Sequence, residues 1–236
     1  MPKTFYFATK ILVILLIPLW ITIGSIRLLA TSEYLGIEYN KADYPEDSFG
    51  LSKDQRLRFA SENLRYLRDN LPISALENQT NGGEPLYNGR ELKHMEDVQS
   101  VFQFFWAVWK MISLLIGILI ILTLIRLENR NAFASGLKIG GFFTAGLIAS
   151  IGLLAVVGWD TWFLIFHKLL FAPGSWTFSF SDTLIRLFPL RFWMDAVYTV
   201  TGLSLVGGLL VGFSGWFWQT YPNFSSQLQK SKQKSP

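Results

Sequence analysis

The chain has 236 residues, half of them hydrophobic, a mean hydropathy of +0.31, a net charge of +4 and no cysteine. Long charge-free runs argue against a soluble domain, and the missing cysteine excludes disulfides, zinc–thiolate sites and a cysteine nucleophile. No basic stripe runs along any segment, so nucleic acid is not an expected partner.

A helix needs roughly 20 apolar residues to cross a hydrocarbon core about 30 Å thick. Four segments meet that requirement, near residues 6–30, 101–125, 139–166 and 196–221. The expected fold is therefore all-α and membrane-integral: four transmembrane helices with an extracytoplasmic cap, in a single domain over 1–236. The first run exceeds a signal-peptide core, and no small-x-small site follows it, so it is expected to be an uncleaved anchor. Lys3 and Lys10 precede the first helix, Arg126, Arg130 and Lys138 mark the short link between the second and third, and Lys230, Lys232 and Lys234 form the tail. The positive-inside rule puts all three groups, and with them both termini, in the cytoplasm. The two longer loops then lie on the opposite side.

Residues 31–100 are expected to form the cap and an extension of the second helix. Ser52 with Gln55 fits a capping box. Leu57, Leu64, Leu67 and Leu71 follow at roughly helical spacing, and Pro72 is expected to end that helix. One amphipathic helix cannot bury its own apolar face, so it should rest on the membrane or on the second loop. Asn81-Gly82-Gly83 and Asn88-Gly89 read as turns. Asn88 with Glu91 is a second helix-start signature. No proline interrupts the chain from there to Glu128, and about 40 helical residues would be ~60 Å long. The first turns, carrying Arg90, Glu91, His94 and Asp97, should therefore stand outside the lipid. Residues 167–195 form an aromatic-rich extracytoplasmic loop broken at Pro173-Gly174 and Pro189. Gly136/Gly140 and Gly208/Gly212 are spaced for close helix packing.

The chain's two histidines, His94 and His167, border the second and third spans at the ends that the topology puts on one face. An imidazole near a helix end often only anchors an interface. Both of a chain's histidines at one depth favour function, and an unperturbed pKa of about 6.5 suits proton transfer. Asp97 shares a helix face with His94 and is placed to hold its tautomer. Arg90, one turn earlier, is placed to orient a charged group or stabilise an oxyanion, whereas Glu91 is better placed as a cap. No HExxH or His-x-x-x-His pair is present, so no metal is expected from the histidines with Glu91, Glu96, Asp97 or Asp182. Ser175 and Ser181 lack a nucleophile-elbow pattern. No phosphate loop or dinucleotide fingerprint implies a cofactor. Inside the spans the ionisable residues are Lys10, Arg27, Lys110 and Asp160, too few near the midplane for a conduction path.

Two stretches, Asn88–Val98 (NGRELKHMEDV) and Phe166–Trp193 (FHKLLFAPGSWTFSFSDTLIRLFPLRFW), together with the four-helix layout, carry a family resemblance. The sequence resembles a bacterial four-helix membrane family that includes the lipoprotein intramolecular transacylase. Gly89 and Leu190 depart from the pattern, standing where acidic residues are expected. The resemblance implies His94 and His167 as catalytic residues at the junction of cap and membrane. It implies no cofactor, and diacylated lipoproteins as substrates within the bacterial cytoplasmic membrane. The expected reaction moves the sn-2 acyl chain of a diacylglyceryl-cysteine to its own α-amino group, giving a lyso-form lipoprotein. Phe171, Trp176, Phe178 and Trp193 would then confine the glyceryl and acyl groups. A monomer is expected. The alternatives are a non-catalytic membrane subunit of an envelope or transport assembly, and a metal-dependent membrane hydrolase.

Overall fold

The computed structural model describes residues 3–125 and 130–233, with side chains from 4 to 125 and from 130 to 220. Arg126, Glu128 and Lys234 lie outside the described residues, as do the side chains of Lys3, Lys230 and Lys232. In chain order come α1 (Lys3–Leu29), α2 (Ser32–Tyr39), α3 (Lys53–Arg68) and α4 (Ser74–Glu77). A small hairpin of β1 (Thr80–Asn81) and β2 (Glu84–Pro85) follows. After it come α5 (Gly89–Ile125), α6 (Arg130–Val157), α7 (Trp159–Leu170), α8 (Thr183–Leu187) and α9 (Leu190–Gln233). Among the described residues four stretches are long and apolar enough to span a membrane: Thr4–Leu29, Gly89–Ile125, Arg130–Val157 and Leu190–Thr220. The protein is a multi-pass, all-α membrane protein.

The third expected span is divided. The helix that starts at Arg130 closes at Gly158, whose N–H donates to Leu154 O at 2.9 Å. Gly158 has φ −139° and ψ 57° and restarts the chain as α7. Glycine favours such breaks because it gains least from staying helical. His167 consequently sits on a separate short helix.

Contacts group the chain into two units, one of Met1–Ser25, Val108–Ile151 and Thr201–Pro236, the other of Ile26–Ala107 and Gly152–Val200. In the first unit, backbones meet through glycine. A Cβ added at Gly136 would stand 2.6 Å from Val13 Cβ, and one at Gly140 3.1 Å from Ile14 Cα. Gly208 and Gly212 meet the 141–145 turn in the same way, as their spacing predicts, and Gly141 and Gly215 join them. Val13, Leu16, Ile17, Ile112, Leu119 and Phe133 fill the space between. Trp20 and Trp109 stack at 6.2 Å, with Trp20 Nε1 donating to Ser113 Oγ and Trp109 Nε1 to Trp20 O. Outward-facing Leu15, Leu114 and Leu210 are 62–66% exposed, a surface that suits lipid rather than water.

The second unit has a core of a different kind. Leu51, Phe59, Tyr66, Leu76, Leu86, Tyr87 and Met95 pack with Leu184 and Leu187 of α8. The cap helix α3 therefore rests on the second loop. Its capping box forms as expected: Gln55 N–H donates to Ser52 Oγ at 3.2 Å and Ser52 N–H to Gln55 Oε1 at 2.9 Å. The helix stops at Arg68, ahead of Pro72, with Asn70 at φ +52° just beyond. Its buried face is also not the leucine stripe. Arg56, Phe59, Ala60, Asn63 and Tyr66 are buried, while Leu57, Leu64 and Leu67 are only partly covered. The buried donors on this face find acceptors. Arg56 donates to Arg186 O and Pro45 O, and Asn63 Nδ2 donates to Phe59 O. Helix α2, not anticipated from the sequence, starts at Thr31, whose Oγ1 accepts from Tyr34 N–H at 3.3 Å.

Gly141 tests the close approach. An added Cβ there would meet Gly208 O and Gly212 Cα, both at 2.6 Å, and backbone cannot swing aside. Gly141→Ala should cost about 1–3 kcal/mol, the range for overpacking, seen as a lower thermal unfolding temperature in detergent. The same change at Gly146, which faces open space, should leave that temperature unchanged.

Candidate active site

The first half of the site is built at the start of α5. Asn88 Oδ1 accepts the N–H groups of Arg90 (3.0 Å) and Glu91 (3.1 Å), and Glu91 Oε2 accepts the N–H of Asn88 (2.9 Å). This reciprocal cap satisfies donors that any helix start leaves open. Glu91 is 1% exposed, and its other oxygen accepts the N–H of Leu184 at 2.7 Å, at the head of α8. One buried carboxylate thus ties two helix starts together. Burial pushes its pKa up, the hydrogen bonds from Asn88 and Leu184 pull it back, and the nearby Asp182 adds to the rise. One turn along, His94 leans inward.

The second half comes from α7 and the turn that follows it. His167 Nδ1 lies 2.9 Å from Phe163 O. A carbonyl only accepts, so Nδ1 carries the proton and Nε2 presents its lone pair. Phe171 ends the helix. Ala172-Pro173-Gly174-Ser175 then reverses the chain, with Gly174 at φ +83° and Ser175 N–H donating to Ala172 O at 3.3 Å. Proline before a glycine at positive φ is the signature of a type II turn. The reversal lays Trp176 over His167, ring centres 4.9 Å apart, and brings Phe178 against His94 at 5.3 Å.

Phe171 joins the two histidines. Its ring centre is 5.1 Å from that of His94 and 5.6 Å from that of His167. Phe163 packs on His167 at 3.9 Å. Both imidazoles therefore sit in an aromatic recess, and it favours their uncharged forms. Burial and the neighbouring His167 push His94 down to about 4, opposed by Asp97. Burial also lowers His167, against the opposing hydrogen bond to Phe163. Nδ1 of His94 and Nε1 of Trp176 are shut off from solvent, with no hydrogen-bond partner among the described residues.

The other anticipated residues serve different roles. Arg90 reaches Asp182 at 3.4 Å. Asp182 also accepts from Asn88 Nδ2 and Ser179 N–H, so this cluster clamps the aromatic loop to α5. Asp97 pairs with Lys93 at 3.4 Å and acts on His94 through its charge, without a hydrogen bond to Nδ1. Trp193 touches Phe188 and Phe192, not the histidines. Ser175 Oγ donates to Ala172 O inside the turn. Among the described residues no group of three or more His, Asp or Glu is arranged to hold a metal. Phe163 was missed in the sequence, although its position four residues before His167 could have signalled the backbone contact.

Fold and site together define a four-helix integral membrane protein whose polar segments bring two histidines into one aromatic recess. The family model for lipoprotein intramolecular transacylase Lit matches residues 11–193, and the chain belongs to that family. An uncharacterised protein of Aquifex aeolicus is 31% identical over 206 residues, 86% of this chain and 92% of its own length. The solved structure of the membrane-integral lipoprotein intramolecular transacylase Lit from Bacillus cereus is similar over 98% of this chain and 99% of its own. Its TM-score is 0.70 at 20% identity. A variant of that protein with a histidine replaced by alanine matches at TM-score 0.63 and 19% identity, over 94% of this chain and 96% of its own.

Two outcomes follow from this geometry. Glu91→Ala takes the acceptor from the N–H groups of Asn88 and Leu184, at about 1–3 kcal/mol for the buried Leu184 donor left unpaired. Thermal unfolding should rank wild type above Glu91→Gln, which keeps one acceptor, and Glu91→Ala last. The second outcome concerns pH. With a folded pKa near 4 against an ordinary 6.5 for His94, the unfolded chain binds its proton first. Stability contributed by the neutral ring is then present above pH 6.5 and lost as pH falls toward 4. In His94→Phe, whose ring suits contacts with Phe171 and Phe178, unfolding temperature should fall less steeply across that window. Equal slopes for the two proteins would contradict a neutral, buried His94.

Proposed function

We propose that this protein is a lipoprotein intramolecular transacylase. It moves the sn-2 acyl chain of a diacylglyceryl-cysteine onto the α-amino group of that cysteine and leaves a lyso-form lipoprotein. The observation that carries the reading is the packing of both histidines on Phe171, in a chain of the Lit family. Diacylated lipoproteins are the substrates and the cytoplasmic membrane of a bacterium the setting, with both termini cytoplasmic and the site at the extracytoplasmic face.

Donor ester and acceptor amine belong to one molecule, so the enzyme's main task is to fold the substrate into a reactive geometry. Positioning of that kind supplies roughly 7–11 kcal/mol of a barrier. Phe171, Trp176 and Phe178 offer the apolar walls. An α-amine has a pKa of about 7.7–8.0, so a modest base suffices. His167 Nε2, unprotonated because Nδ1 faces Phe163 O, takes the amine proton as nitrogen attacks the ester carbon. The imidazolium then returns that proton to the glyceryl oxygen as the C–O bond breaks. One N–C bond forms, one C–O bond breaks, and no proton is left over. His94 polarises the reacting ester by hydrogen bonding. Ester-to-amide exchange runs downhill and needs no nucleotide.

The test is mass spectrometry of a lipoprotein's N-terminal lipopeptide after co-expression in a host that lacks N-acylation. Wild type should leave total mass unchanged and shift one acyl chain from oxygen to nitrogen, and His94→Ala and His167→Ala should each abolish the shift. An intact S-diacyl lipoprotein beside well-expressed wild type would refute the reading and favour a non-catalytic membrane subunit.

A further inference from the structure

We propose, resting on the transacylase reading, that the indole N–H of Trp176 is the donor that holds the acyl carbonyl oxygen as it becomes an oxyanion. Indole nitrogen is a donor only. Here it is buried and lacks an acceptor, and a buried donor left unpaired costs about 1–3 kcal/mol. The chain maintains that cost through deliberate-looking local structure. The Pro173-Gly174 turn folds Trp176 back onto α7, where its ring lies 4.9 Å from His167 and 6.4 Å from Phe163. Phenylalanine rings offer no acceptor of ordinary strength. The one nearby imidazole with a fixed tautomer, His167, has its lone pair at Nε2, the atom assigned to the amine proton. An acceptor for the indole therefore has to come with the substrate, next to the base.

Acyl transfer supplies one. As the amine nitrogen bonds to the ester carbon, the carbonyl π electrons move onto oxygen, and that oxygen gains a negative charge close to the base. A preorganised neutral donor in a dry site stabilises this charge without being reorganised. With Trp176 on the carbonyl oxygen, His94 is released to hydrogen bond the departing glyceryl oxygen. Trp176 thus does more than confine the acyl chain. It is a catalytic residue of the same site.

The experiment compares full-length wild type and Trp176→Phe in proteoliposomes, with a synthetic diacylglyceryl-cysteine lipopeptide as substrate. Phenylalanine keeps an aromatic wall and removes the N–H. Loss of one oxyanion donor typically costs about 10²–10³-fold in kcat, and KM should change little. A lipopeptide whose reacting ester is replaced by a tetrahedral phosphonate should bind Trp176→Phe more weakly by a similar factor, which a purely structural role would not produce. If Trp176→Phe expresses poorly, replacing Trp176 with benzothienylalanine exchanges N–H for sulfur at nearly unchanged shape and gives the same comparison. Wild-type kcat in either variant overturns the Trp176 assignment alone. No turnover by wild type overturns the transacylase reading and this proposal with it.

Discussion

The second unit depends on the carboxylate of Glu91. A carboxylate buried without partners would be neutralised or expelled, yet this one is retained because each oxygen meets a backbone N–H. Asn88 belongs to the start of α5 and Leu184 to the start of α8. The negative charge also lies at the positive end of the long helix α5, where it is favoured. The consequence is geometric. His94 follows Glu91 by three residues on α5, and Leu184 lies at the far end of the loop that carries Trp176 and Phe178. Fixing the two helix starts to one side chain fixes where that loop can close. Asp182 reinforces the same junction from outside, through Arg90, Asn88 and Ser179.

Once closed, the recess decides the chemistry its histidines can perform. Apolar rings surround both imidazoles, and a charged imidazolium in such surroundings is disfavoured. His167 also opposes protonation of His94. At most one proton is therefore easily accommodated at a time, which suits a reaction that takes a proton from nitrogen and returns it to oxygen. A depressed pKa makes for a weak base, and that weakness is tolerable when attacking amine and ester are held together. Dryness and positioning do complementary work.

The features that are local were legible in the sequence. Ser52 with Gln55 and Asn88 with Glu91 are caps whose partners lie three residues away, so their chemistry is written in adjacent letters. The same holds for Asn81-Gly82-Gly83, where glycines at φ +64° and +92° close the hairpin. Four long apolar runs gave the membrane fold, because lipid demands uninterrupted backbone pairing within each span. What escaped was set by partners remote in sequence. The α3 face could not be read, since Arg56 is buried against the carbonyls of Pro45 and Arg186 and Asn63 against the hydroxyl of Tyr87, all outside the helix. The break at Gly158 was hidden by apolar residues on both sides of it. Within the site, the histidines were visible as the only two of their kind and as members of a motif. The second oxygen of Glu91, the clamp at Asp182 and the unpaired indole of Trp176 were not, because each depends on what the folded chain places beside it.

The hydroxyl of Ser175 bears on the route of the acyl group. It lies one residue from Trp176, close enough in sequence to serve as a temporary acyl acceptor. The turn commits it elsewhere: its proton points to Ala172 O at 2.9 Å. A serine nucleophile needs a base on that proton and a turn that exposes its oxygen. Here the imidazole of His167 directs its Nδ1–H to Phe163 O, and the Ser175 hydroxyl is held by Ala172 O rather than by a base. An acyl-enzyme would also separate the acyl chain from the amine's own molecule and forfeit the intramolecular advantage between steps. Direct passage from oxygen to nitrogen keeps both reactants tethered throughout. It asks of the protein only a base, donors for two oxygens and walls that hold the substrate folded, and the recess around Phe171 contains groups suited to each.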